Sequence, residues 1–136
     1  MLLKDWKDIK YFKSFEFNRQ EKMDKKLIVG LDKLREYIDK PIIINCSYED
    51  RKTGGYHPEG KAVDIHVKGM HFFDLFIAAS RFDEFNGIGI YPYWNNPGIH
   101  LDTRPKIRKY ETDALWIGIA PRKYIPFTSD NIRKII

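Results

Sequence analysis

Gly54-Gly55-Tyr56-His57-Pro58-Glu59-Gly60-Lys61-Ala62-Val63-Asp64-Ile65-His66 is the stretch from which the organisation of the chain can be read. Glycines at 54, 55 and 60 let the backbone bend tightly around His57, and Pro58 stiffens the same turn. From Lys61 to Val67 the pattern becomes alternating. Strand side chains repeat every two residues, so Val63, Ile65 and Val67 take one face while Asp64 and His66 take the other. Gly98-Ile99-His100-Leu101-Asp102 repeats the arrangement, with His100 and Asp102 opposite Ile99 and Leu101. If these two strands pair, His57, Asp64, His66, His100 and Asp102 converge on one side of a sheet.

Around this centre the periodicity of the chain predicts the other elements. Met23, Leu27, Leu31, Leu34 and Ile38 recur at three- and four-residue steps, which predicts a helix over 20–39 stopped by Pro41. Pro41-Ile42-Ile43-Ile44-Asn45-Cys46 reads as a buried strand. A second helix is expected over 70–82, packing through Phe72, Phe73, Phe76, Ile77 and Ala79. Residues 87–91 and 99–102 read as strands around a Pro/Asn/Gly loop. Residues 112–119 are expected to form a last strand, and 129–136 a short helix capped by Ser129. Residues 1–20 form an arm whose anchors are Tyr11, Phe12, Phe15 and Phe17. The whole is expected to be one α+β domain, 1–136: a small, mostly antiparallel sheet with two main helices packed on it and a metal site on the sheet face.

Composition sets outer limits. The chain has 136 residues, 43% hydrophobic and 15% aromatic, enough for a core and too apolar for disorder. The net charge of +5 favours anionic partners, but the lysines and arginines are dispersed, with no basic block. Nucleic-acid binding would rest on that charge alone. The aromatics fall at core spacing rather than interleaving with Arg and Lys as a stacking platform requires. The one cysteine, Cys46, excludes an intramolecular disulfide and any zinc site built mainly of cysteines. No signal-peptide or membrane-spanning run is seen. Synthesis in the cytoplasm, a monomeric state and no membrane insertion are the expectations.

Two imidazoles and a carboxylate with one open position are a common way to hold catalytic zinc. Four histidines are unremarkable in a chain this long, so the pattern by itself leaves a metal site and a set of solvated side chains both open. His57-Pro58-Glu59-Gly60-Lys61-Ala62-Val63-Asp64 resembles the H-x-x-G-x-A-x-D motif of the M15 family of zinc D-Ala-D-Ala peptidases, which includes D,D-carboxypeptidases and phage endolysins. Gly87-Ile88-Gly89-Ile90-Tyr91 followed by Ile99-His100-Leu101-Asp102-Thr103-Arg104 resembles the second half of the site in its small phage and bacterial branch. The resemblance covers roughly residues 10–120. It implies His57, Asp64 and His100 as zinc ligands and a peptidoglycan peptide containing D-alanine as substrate. It also implies a phage-encoded or bacterial protein acting on the cell wall.

The chain departs from that family at two places. Gly55 stands where a serine is usual, and Pro97 stands where an acidic general base is usual. Asp102 is then the nearest carboxylate, with a base or ligand-orienting role set against a plain ion pair with Arg104. Arg51 corresponds in order to the family's substrate-gripping arginine, or is a solvated loop residue. His66 falls beside the ligands or on the surface. Tyr56 and Trp94 line a cleft or simply pack, and His71 opens a helix without chemistry. The departure at Pro97 keeps a second reading open, a wall-binding module that retains the fold and has lost hydrolysis. An iron oxygenase with a two-His-one-carboxylate site is a further alternative, but no histidine follows His100 to complete it.

Overall fold

A computed structural model describes residues 1–50, 54–106 and 114–136. Among these, six strands form one sheet: β1 (Ile43–Cys46), β2 (Ala62–His66), β3 (Gly87–Tyr91), β4 (Gly98–Asp102), β5 (Ala114–Ala120) and β6 (Lys123–Pro126). Their order across the sheet is β1-β2-β4-β3-β5-β6. All neighbours are antiparallel except β3 and β5, which are parallel. Three helices complete the α+β fold: α1 (Lys25–Ile38), α2 (Phe72–Ala79) and α3 (Ser129–Ile135). No helix among the described residues is long and apolar enough to cross a membrane.

The alternation of β2 and β4 divides the sheet into a dry face and a chemical face. Val63, Ile65, Ile99 and Leu101, with Ile88 and Ile90 of β3, are fully buried. They join one core with Leu27, Ile28, Leu31 and Leu34 of α1 and Phe72, Leu75 and Phe76 of α2. Each such side chain contributes roughly 1.5–3 kcal/mol by leaving water. A one-residue slip of either strand would turn its aliphatics out and its polar set in, so core burial fixes the register of the site. That register sets Asp64 directly opposite His100, and Ala62 opposite Asp102.

Several boundaries differ from the sequence expectation, each for a local reason. The predicted helix over 20–39 is broken: residues 20–22 make a 3-10 turn and α1 begins at Lys25. The break leaves the Asp24 carboxylate off its own helix terminus, where it accepts a hydrogen bond from Thr103 Oγ1 at 2.9 Å. The Asp24 amide donates to the Gly60 carbonyl at 2.9 Å, so the helix start is tied to both halves of the site. β1 is an edge strand rather than a buried one, and Ile43 is 42% exposed. In α2, Leu75 and Ala78 are buried and Ile77 is exposed. In the arm, Phe12 and Phe17 are buried, whereas Tyr11 and Phe15 are exposed. Thr128, not Ser129, caps α3, accepting from the Asn131 amide at 3.2 Å. β6 is the strand not foreseen. It is four residues long and ends in Pro126, too short for periodicity to register.

Candidate metal centre

His57 is set by its turn. It opens a single 3-10 turn, His57–Glu59, closed by Gly60 in the left-handed region at φ 69°. A Cβ on Gly60 would also collide with the Lys22 carbonyl oxygen, so glycine is required there twice over. The His57 ring is buried. Its Nδ1 lies 2.7 Å from the Ser47 carbonyl oxygen, which makes Nδ1–H the donor and leaves Nε2 to face the sheet. Nε2 lies 3.4 Å from Asp64 Oδ1.

His100 is set from its own strand. Its Nε2 lies 2.7 Å from Asp102 Oδ2, and its Nδ1 lies 3.0 Å from the same Asp64 Oδ1 that faces His57. Asp102 in turn is held by Arg104, whose Nε and Nη2 donate to its two oxygens at 2.8 and 2.7 Å. The Asp102 side chain has no exposed surface. Gly87 and Gly89, which face Asp102 and His100 across β3, make room for this clamp. A Cβ at Gly87 would run into Asp102 and Arg104, and one at Gly89 would run into the Trp116 ring. Trp116 occupies that space, its ring centroid 5.2 Å from that of His100.

Burial disfavours charge on every group in this cluster, yet the hydrogen bonds outweigh it. The imidazoles on either side bring Asp64 down to about 2 against its own desolvation. Burial works against a charged His57, but Asp64, Cys46 and the Ser47 carbonyl raise it to about 9. His100 is raised by Asp102 and Asp64 against the same desolvation, and Asp102 is depressed by Arg104 and His100. Both imidazoles are thereby biased toward the protonated form and Asp64 toward the charged form.

Among the described residues, Cys46, His57 and Asp64 bring ligand atoms within 4.8 Å of one another and could hold a metal ion, and His100 Nδ1 reaches the same Asp64 oxygen. Four bonds of about 2.0–2.1 Å in a tetrahedron place neighbouring ligand atoms about 3.3 Å apart. The spacings between Asp64 Oδ1 and the two nitrogens, 3.4 and 3.0 Å, match that edge. Both imidazoles are also oriented through their remaining nitrogen, as ligating histidines generally are. The cluster opens into a cleft of about 1130 Å³ lined by Tyr56, Tyr91, Trp94, Arg104 and Trp116, among others. Asp64 is its one carboxylate among the described lining residues.

The other candidates fall in different places. His66 lies away from the cluster, its Nδ1 2.8 Å from Asn45 Oδ1. His71 caps α2, accepting from the Phe73 amide at 3.1 Å. Tyr56 and Trp94 line the cleft. Arg51 lies outside the described residues. Cys46, which the sequence reading left unused, is paired with Asp64 across β1 and β2. Its Sγ lies 3.6 Å from His57 Nδ1, and it belongs with His57 and Asp64 to the group that could hold a metal ion, a group that does not include His100. The signal for Cys46 was its place at the end of a strand beside β2, but a bulge between Ile44 and Cys46 hides the phase.

A buried and a half-buried imidazole flank one carboxylate oxygen in an open cleft on the sheet. The chain matches the Peptidase M15 family over residues 7–102 and belongs to it. Peptidases of this family are metal-dependent, so the chain's substrate is a peptide and its class is metallopeptidase. No curated protein matches the chain.

Proposed function

We propose that the protein is a zinc peptidase that cuts peptide bonds in the D-alanine-containing stem peptides of peptidoglycan. The observation that carries this reading is the position of Asp64 Oδ1, within 3.4 Å of His57 Nε2 and 3.0 Å of His100 Nδ1 at the cleft floor. His57, Asp64 and His100 would hold the ion. When bound, it supplies Lewis acidity toward a carbonyl oxygen and makes water acidic enough to react at neutral pH.

The remaining roles belong to the chain's own side chains. Asp102 orients His100 and keeps Nε2 protonated, so that Nδ1 is the nitrogen offered to the ion. With no exposed surface and both oxygens engaged, Asp102 is a positioning residue and not a proton carrier for the cleft. Arg104 is locked to Asp102 and sandwiched between the rings of Tyr56 and Trp116, at 4.8 and 5.0 Å from their centroids. It therefore closes the wall of the site. Arg51 grips a substrate carboxylate, a charge-assisted contact that fixes orientation. The aromatic walls exclude water and strengthen the electrostatics inside.

The test is digestion of purified peptidoglycan with fragments identified by mass. New amino groups and fragments differing by one peptide bond are expected from the zinc-loaded protein, and none from His57→Ala or after chelation. A second reading, a wall-binding module with little hydrolysis, is favoured by one observation: beyond Asp64, no carboxylate among the described residues lines the cleft to carry a proton. Positioned proton transfer is worth about 10²–10⁴-fold in rate. Retention on peptidoglycan without release of amino groups would select this reading.

A further inference from the structure

The second arginine of the cleft is unlike the first. Arg104 is held by Asp102 through Nε and Nη2 and lies between two rings. Arg122 lines the same cleft from the β5–β6 hairpin, beyond the residues matched to the family. Its side chain is exposed and makes no hydrogen bond, ion pair or ring contact among the described residues. Its backbone is also in an unusual state. Ala120 pairs with Lys123, so Pro121 and Arg122 are the two turn residues, and Arg122 sits at φ 59°. A turn with proline first and positive φ second is normally completed by glycine or asparagine. An arginine there is strained, and strain that persists in a cleft is an argument for a use of that side chain.

The surroundings indicate the use. Gly118, Tyr91, Trp116 and Tyr124 line the cleft together with Arg122 and the histidine cluster. Trp116 Nε1 donates to Tyr91 Oη at 2.9 Å, and Tyr91 stacks on Trp94 with centroids 4.2 Å apart. An aromatic wall and an unengaged guanidinium thus share the cleft. A planar fork of donors beside a low-dielectric wall is suited to a carboxylate. We propose that Arg122 receives a carboxylate of the peptide substrate in the cleft it shares with His57, Asp64 and His100. This rests on the reading of the cleft as a peptidase site, and it makes the hairpin an anion-selecting wall in addition to Arg51.

The test compares two probes, diacetyl-L-Lys-D-Ala-D-Ala and its C-terminal carboxamide, binding to the zinc-loaded protein and followed by tryptophan fluorescence. Wild type is expected to prefer the carboxylate by roughly 10-fold. Arg122→Asn and Arg122→Gly should lose most of that preference while melting at or above the wild-type temperature, because both residues suit the positive φ. Arg122→Lys should retain part of it. A preference that survives in Arg122→Asn, or that disappears only in Arg51→Ala, overturns the proposal, as does a wild type with no preference. Affinity is read from the fluorescence change immediately on mixing, before turnover, so that cleavage does not enter this ratio. Loss of the peptidase reading would show as bound but uncut probe, and loss of the Arg122 proposal as an unchanged ratio.

Discussion

His57 and His100 face the same Asp64 oxygen, but they are held in opposite ways. His57 is positioned by backbone: a 3-10 turn, a left-handed glycine and the Ser47 carbonyl. His100 is positioned by side chains: a buried carboxylate clamped by an arginine, over two glycines that make room for both. A backbone carbonyl cannot be mutated away, and its strength depends on the loop around it. A buried ionic clamp is strong only while complete, because removing one member leaves the other charge desolvated and unpaired. The two halves should therefore fail differently.

The largest effect is expected from removing a proposed zinc ligand. His57→Ala and His100→Ala are each expected to lose stoichiometric zinc, measured by metal analysis after dialysis, and all detectable cleavage of peptidoglycan. Zinc retained at full stoichiometry in either variant would leave Cys46 as the substitute donor and sink the assignment.

Next is the pH dependence of the metal-free protein. The His57 pKa is raised, from 6.5 to about 9. Its contribution to stability is present in full below about 6.5 and is lost as pH rises through about 9. Asp64 is lowered to about 2, so its contribution is present above about 3.8 and lost as pH falls through about 2. The melting temperature without zinc should fall between pH 6.5 and 9. The increment added by saturating zinc should grow over the same range, since binding must displace those protons. Parallel curves with and without zinc would mean that the ion binds elsewhere.

Asp102→Asn then separates the two histidines. It should weaken zinc binding by about 10–100-fold and destabilise the fold by roughly 3 kcal/mol, because Arg104 loses its partner. Calorimetry for affinity and denaturant unfolding for stability are the measurements. An Asn variant that binds zinc normally would reduce Asp102 to a structural ion pair.

How much of this was legible follows the same division. Alternation in β2 and β4 carries its own phase, so the shared face of Asp64, His100 and Asp102 was readable once the strands were assumed to pair. Gly60 was legible as a bend, but not as the point where the Lys22 carbonyl passes, because that contact joins segments 38 residues apart. The clamp on Asp102 was legible only as one option, since nothing in His100-Leu101-Asp102-Thr103-Arg104 says which of its side chains will be covered. The role of Cys46, and β6 with the turn that joins it to β5, were not legible. A bulge and a four-residue strand carry too little periodicity, and the sheet order that brings them to the cleft is a property of the whole fold.

Gly60→Ala tests the backbone half with a smaller effect. The added Cβ meets both an unfavourable φ and the Lys22 carbonyl, so destabilisation above about 1 kcal/mol is expected. Zinc affinity should fall along with stability, because His57 and the start of α1 share this joint.

Ser47→Ala is the gentlest change and the sharpest comparison with Asp102→Asn. The Ser47 hydroxyl accepts from the Asn18 amide at 2.8 Å, while its carbonyl, which the substitution keeps, holds His57. The loss should be about 1 kcal/mol of stability, read by denaturant unfolding, with zinc affinity unchanged within a factor of about three. If instead affinity fell as far as in Asp102→Asn, the carbonyl's position would depend on the hydroxyl's anchor in the arm. The two histidines would then be held with similar fragility, and the contrast between backbone and side-chain support would not survive.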